Sequence, residues 1–183
     1  MAVQLQLAII PSLNPWVLSK DGHPAAAALY RRHYSAHQYR DNRRSWPGYR
    51  NRNLICGPGE KTVLLTPGLD ALFVWRKFIS DDDQDGVNCA VFRNESTYLS
   101  SFLITQAEQY ATFRWPRERL YTYVDSSSVK SSNPGYCFKV AGWSLCGRSK
   151  SGKLILSKTH HTPLITTPTT SPPSTVTRST SAP

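Results

Sequence analysis

No apolar run in this 183-residue chain approaches the roughly 18 residues that a membrane-spanning helix requires, so neither a membrane span nor a membrane partner is expected. The longest run near the start, Leu7 to Ile10, is closed by Pro11 and has no basic residue before it. A secretory signal needs a charged segment and a longer apolar one, so export is not expected either. Cysteine is sparse: Cys56, Cys89, Cys137 and Cys146 lie far apart with no C-x-x-C pair, which argues against a zinc ribbon or a disulfide scaffold. Reduced thiols in a cytoplasmic protein are the expectation. Acidic residues are also few, 12 against 22 Lys and Arg, leaving a net charge of +10. There is no internal repeat. These absences leave a basic protein with one folded domain.

Composition divides the chain. From Thr159 to Pro183, thirteen of 25 residues are Ser or Thr and five are Pro. Such a segment buries too little apolar surface to offset chain entropy, so residues 159–183 are expected to be a disordered tail. In residues 1–23, Val3, Leu5 and Leu7 alternate with Gln4 and Gln6 as in a strand, before Pro11 and Pro15 interrupt. The folded core is expected within residues 24–158.

Pro24 to Ala36 reads as a helix, with Pro24 in the first turn and four alanines behind it. Residues 40–58 read as a long exposed loop. Residues 60–66, 69–79 and 87–93 read as an antiparallel meander, turning first at Pro67-Gly68 and then at the acidic stretch Asp81-Asp82-Asp83-Gln84-Asp85. That stretch is most simply a solvated loop. Leu99 to Phe113 is the strongest helix: Leu99, Phe102, Leu103, Ala107, Tyr110 and Ala111 recur at three- and four-residue spacing, and Ser100 or Ser101 is suited to cap it. Leu120 to Val124 is a short buried strand. Pro134 to Ala141 is a helix stopped by Gly142, and residues 144–146 and 153–156 form a hairpin. The order predicts an α+β domain with a mixed central sheet flanked by helices.

That order, with the segment Asn133-Pro134-Gly135-Tyr136-Cys137-Phe138-Lys139-Val140-Ala141-Gly142-Trp143, resembles the GNAT acyltransferase fold. The stretches Ala28-Leu29-Tyr30-Arg31-Arg32-His33-Tyr34-Ser35, Phe92-Arg93-Asn94-Glu95, Leu99-Ser100-Ser101 and Leu120-Tyr121-Thr122-Tyr123-Val124-Asp125 resemble the Mom group of phage DNA-modification proteins. The resemblance covers residues 24–158. It implies attachment of a small carbon group to the exocyclic amine of adenine in double-stranded DNA, in a host cytoplasm, with protection from restriction as the consequence. The implied donor is acetyl-CoA or a related thioester. Two departures from ordinary acetyltransferases stand out. Their pyrophosphate loop, Q/R-x-x-G-x-G/A, is here Arg93-Asn94-Glu95-Ser96-Thr97-Tyr98, which keeps the arginine and neither glycine. Their general-acid tyrosine falls at Phe138, which has no proton to give.

Several residues are suited to the chemistry, each with a plainer reading beside it. Asp125 follows a buried strand, where it is either a base or amine-positioning group, or a cap for Ser126 to Ser128. Tyr136 either donates the proton that Phe138 lacks or simply packs. Arg93, Ser100 and Ser101 suit an anionic cofactor group, although the serines need no ligand as caps. Residues 30–52 hold Arg31, Arg32, Arg40, Arg43, Arg44, Arg50 and Arg52 against one acid, Asp41, interleaved with Tyr30, Tyr34, Tyr39, Trp46 and Tyr49. Arginines neutralise phosphates and aromatic rings stack unpaired bases, so this segment is either a DNA-binding surface or a solubilising face. Tyr34 is the expected neighbour of the substrate base. His33 and His37 have no matching partner for a metal site and read as surface residues. A GNAT enzyme acting on a small amine or protein, a non-catalytic nucleic-acid-binding protein, and a homodimer of any of these all remain open at the level of sequence.

Overall fold

The central strands are apolar on both faces, and burying both faces generates the architecture. The structure, a computed structural model, describes residues 14–38 and 54–159. Val3 to Leu7, five of the seven arginines (40, 43, 44, 50 and 52) and all of the expected tail beyond Thr159 lie outside those residues. In chain order the elements are β1 (Val17–Ser19), α1 (Pro24–Arg31), α2 (Ser35–Gln38), β2 (Glu60–Leu65), β3 (Ala71–Lys77), β4 (Val87–Asn94), α3 (Ser100–Arg114), β5 (Leu120–Val124), α4 (Tyr136–Val140), β6 (Ser144–Arg148) and β7 (Leu154–Lys158). They form one mixed α+β domain on a seven-stranded sheet ordered β1-β2-β3-β4-β5-β7-β6. β4 and β5 are parallel, joined by the α3 crossover; the other neighbouring strands run antiparallel.

Period-two alternation sorts the side chains into two cores. Val63, Leu65, Leu72, Val74 and Val91 meet Ala26, Leu29 and Tyr30 of α1. Leu64, Phe73, Trp75, Val87 and Leu120 face the opposite way, against Leu103, Ile104, Ala107 and Ala111 of α3 and Phe138 of α4. The helix expected over residues 24–36 is interrupted. The Arg32 and His33 amides bond back to Leu29 O (3.1 Å) and Tyr30 O (2.9 Å), tightening the last turn. The Ser35 amide then donates to His33 Nδ1 (3.3 Å), and α2 starts afresh.

α3 forms where expected but is rotated and capped differently. Its N-cap is Leu99, which makes no side-chain capping bond and is 75% exposed; Ser100 and Ser101 are already helical. The buried line runs through Leu103, Ile104, Ala107, Glu108 and Ala111, whereas Phe102 is partly exposed. Two indoles fix that rotation: Trp16 Nε1 donates to Leu103 O (2.8 Å) and Trp75 Nε1 to Ala107 O (2.9 Å). Glu108 is buried because Trp143 Nε1 (2.6 Å) and Lys158 Nζ (2.7 Å) both donate to it.

Gly86 immediately precedes β4 at φ +114, where an added Cβ would collide with the Arg119 carbonyl. That same carbonyl accepts the Val87 amide (2.8 Å), so the glycine lets β4 and β5 come together at their starts. Both sheet borders are modest. β1 has three residues, and β6 carries a bulge: Leu145 pairs with Leu156 and Gly147 with Ile155, leaving Cys146 as the extra residue. No helix among the described residues is long and apolar enough to cross a membrane.

Candidate functional site

The parallel pair β4/β5 opens soon after it forms. Val87, Asn88 and Cys89 align with Leu120, Tyr121 and Thr122, and the ladder then ends although both strands continue. The divergence begins at a bulge in β4. Val74 of β3 aligns with Val91 and Trp75 with Cys89, so Ala90 is the additional residue. Beyond it lies a cleft of about 620 Å³, walled by Ala90 to Phe92, Thr122 to Val124, residues 33–35, Ser80 to Asp82, and Gly135, Cys137 and Phe138.

Tyr34 reaches into this opening. Its hydroxyl donates to Tyr123 O (3.4 Å) and accepts from the Asp125 amide (3.5 Å), meeting backbone groups of β5 and its end beyond the last pairing with β4. His33 lies against Tyr34 with ring centroids 4.3 Å apart, and its Nδ1 is 2.8 Å from Ser35 Oγ. Burial, reinforced by the Arg93 guanidinium, holds the His33 imidazole down at about 4, so the ring is neutral at physiological pH. On another wall, the Tyr123 hydroxyl is 3.1 Å from Ser80 Oγ. Burial raises the Tyr123 phenol above its ordinary value, which keeps it protonated. The thiols here are poor nucleophiles: burial pushes Cys56 up to about 12 and raises Cys89 and Cys137. Phe138 packs edge-on to Phe92 (5.9 Å), a second cleft-lining ring, and to Trp143 (5.0 Å).

The residues singled out from sequence separate in space. Tyr34 lines the cleft; Asp125, Tyr136, Arg93, Ser100 and Ser101 do not. The Asp125 carboxylate takes the capping arrangement, accepting from the Ser127 amide (3.0 Å), Ser127 Oγ (2.6 Å) and Ser128 Oγ (3.0 Å). Its backbone amide addresses the Tyr34 hydroxyl. Tyr136 opens α4 with its side chain 61% exposed, because Gly135, at φ +76, turns the chain so that Phe138 rather than Tyr136 faces inward. Ser100 Oγ accepts from Asn94 Nδ2 (3.0 Å), and Ser101 contributes its carbonyl to Thr105 Oγ1 (3.0 Å). Arg93 is bonded to Glu95 and to the Arg32 carbonyl. Arg31 and Arg32 sit at the end of α1, whereas Arg40, Arg43, Arg44, Arg50 and Arg52, with Tyr39, Trp46 and Tyr49, lie outside the described residues. The His37 side chain lies outside them too, and His33 is a buried cleft residue rather than a surface one.

Sequence reasoning did not single out Ser35, Ser80 or Tyr123 as site residues. The alternation Tyr121-Thr122-Tyr123 marked a strand but not which ring would border an opening, since that depends on where β4 departs. No protein-family model, curated protein or solved structure matches this chain.

Proposed function

We propose that the chain is a DNA-modifying transferase of GNAT-like fold that places a small acyl-derived group on the exocyclic amine of adenine. The observation that carries this reading is the opened β4/β5 pair, with the Tyr34 hydroxyl set across the backbone that the opening exposes. Ligands of sheets with parallel strands sit beyond the carboxyl ends of those strands, where neighbouring chains diverge. The His33–Tyr34 ring pair offers a face for an unstacked base. Adenine reaches such a cleft only when flipped out of the duplex or already unpaired. Arg31 and Arg32, with Arg40, Arg43, Arg44, Arg50 and Arg52, supply the charge that holds the phosphate backbone.

The adenine amine is a poor nucleophile because its lone pair is delocalised into the ring. Its attack on the carbonyl of a thioester donor, acetyl-CoA or a relative, forms the C–N bond and breaks the C–S bond. The amine's proton is lost and the departing sulfur gains one. Tyr34 orients the amine, and Asp125 acts through its amide as a positioning residue for Tyr34. The Tyr123 phenol, paired with Ser80, is the proton carrier inside the cleft and takes the role that the exposed Tyr136 is not placed to fill.

The test is expression in bacteria followed by digestion of cellular DNA to nucleosides and mass spectrometry. A mass-shifted deoxyadenosine is expected, reduced by about 10²-fold in Tyr34→Phe, the scale of a lost substrate-positioning contact. Asp125→Ala, which keeps the amide, retains most of the adduct. Unmodified deoxyadenosine beside well-expressed, folded protein overturns the reading.

A further inference from the structure

The acidic turn between β3 and β4, which in the sequence read as a solvated loop, delivers a carboxylate to the cleft. Ser80 and Asp82 both line the cleft, as does Tyr123 of β5. The Asp82 amide donates to Ser80 Oγ (3.3 Å), and Ser80 Oγ lies 3.1 Å from the Tyr123 hydroxyl. The Asp82 carboxylate is near enough to the Tyr123 phenol to disfavour its ionisation. The turn is anchored from two sides. Lys150 Nζ donates to Asp81 O (3.1 Å), and Arg119 donates to Gln84 Oε1 (3.2 Å) and Asp85 O (3.1 Å). Carboxylate and hydroxyls are therefore held in place before a ligand arrives, which lowers the ordering cost of binding one.

One polar group behind this wall is unsatisfied. Tyr121, on the same face of β5 as Tyr123 with ring centroids 5.7 Å apart, is fully buried, and its hydroxyl has no hydrogen-bond partner among the described residues. Ser80 and Tyr123 are close enough to act on its ionisation. Buried hydroxyls are normally paired, so this one calls for a partner. A modest turn of the Ser80 side chain lets its oxygen accept from Tyr121 while its proton goes to Tyr123. The proton of Tyr123 then points into the cleft. The wall so arranged presents a hydroxyl donor beside a carboxylate that can only accept.

That pair complements an N–H beside a bare ring nitrogen, the edge that adenine offers at N6 and N1 and cytosine at N4 and N3. A carboxylate repels phosphate, so what Asp82 meets is a base edge rather than a nucleic-acid backbone. Enzymes that act on an extruded base read it on this edge. We propose that Asp82 and Tyr123 form a recognition site for the amino-substituted edge of an unstacked base, with Ser80 and Tyr121 fixing the direction of the Tyr123 proton. Asp82 is then a specificity-determining residue, accepting from the amino group while Tyr123 donates to the ring nitrogen. This inference rests on the reading that a base enters the cleft, and it is measured by binding, without the transfer reaction.

Calorimetry on the full-length protein compares short strands of abasic units that carry a single base: adenine, cytosine, or unsubstituted purine, which keeps the ring nitrogen and lacks the amino group. The adenine strand is expected to bind about tenfold more tightly than the purine strand, the scale of one hydrogen bond to a charged group. In Asp82→Ala the two strands are expected to bind alike, whereas Asp83→Asn, in the same turn and 93% exposed, keeps the difference. Tyr123→Phe is expected to weaken both strands equally, because each retains the ring nitrogen. Adenine and purine strands that bind the wild type alike or not at all, or a folded Asp82→Ala that keeps the full difference, overturn the proposal. Should Asp82→Ala lose its fold, a Tyr123→Phe variant that binds both strands as the wild type does overturns it. A cytosine strand that binds more tightly than adenine, with the same dependence on Asp82, keeps the edge recognition and overturns adenine as the acceptor. A preference for adenine beside unmodified cellular DNA keeps the recognition site and overturns the transfer.

Discussion

His33 shows how one residue's surroundings become a property of the whole chain. Its ring is buried beside Tyr34, with Nδ1 turned toward Ser35 and the Arg93 charge nearby. As pH falls through the ordinary imidazole value of 6.5, the unfolded chain takes up a proton that the folded chain refuses until about 4. The contribution is therefore complete above 6.5 and is lost toward 4, amounting to about 3 kcal/mol across that window. Glu95 adds a second decline at lower pH: its carboxyl is ionised in the folded chain from 4.5 down to about 2, so its stabilisation is present above 4.5 and fades below. Urea unfolding at stepped pH is the measurement. His33→Gln should flatten the slope between 6.5 and 4 and leave the decline below 4.5; an unchanged slope would place the upper transition on another group.

At the scale of elements, the buried Glu108 on α3 ties together three parts of the fold. Trp143, following α4, donates to one carboxylate oxygen and Lys158 of β7 to the other, while Lys158 Nζ also donates to Ala141 O (2.8 Å) at the end of α4. Removing one partner of such a buried set strands the others, so Glu108→Ala should lower unfolding free energy by about 3–5 kcal/mol in denaturant titration. A loss under about 1 kcal/mol would mean that the lysine finds water instead. Order and type of the elements are legible in the sequence because they follow from local patterns: Pro24 with its alanines, the Pro67-Gly68 turn, the alternation through Leu72 to Trp75. What faces what is less legible. The rotation of α3 depends on indole donors from Trp16 and Trp75, far away in sequence, so spacing alone placed Leu99 and Phe102 on the wrong side. Tyr34 was legible as a ring among arginines. The inward turn of Phe138 in place of Tyr136, and the local capping by Asp125, follow from the turn at Gly135 and from the serines after β5.

At the scale of the whole fold, the sheet among the described residues has seven strands and two borders, and a border offers unpaired amides and carbonyls to any other strand. β1 presents only three residues. β6 presents five, all exposed, and is interrupted by the extra residue Cys146. Deleting Cys146 would restore regular pairing from Leu145 to Arg148 with the same partners on β7, leaving a straight and unprotected border. Sedimentation velocity should then show association that grows with protein concentration beyond that of the parent chain; a deletion variant that associates no more than the parent would assign the protection to the charge of Arg148 instead. A hydrogen-bonded ladder is in principle a one-dimensional polymer, growing for as long as a regular end is available. In this chain the irregularity at Cys146 acts as a terminating unit at the β6 border.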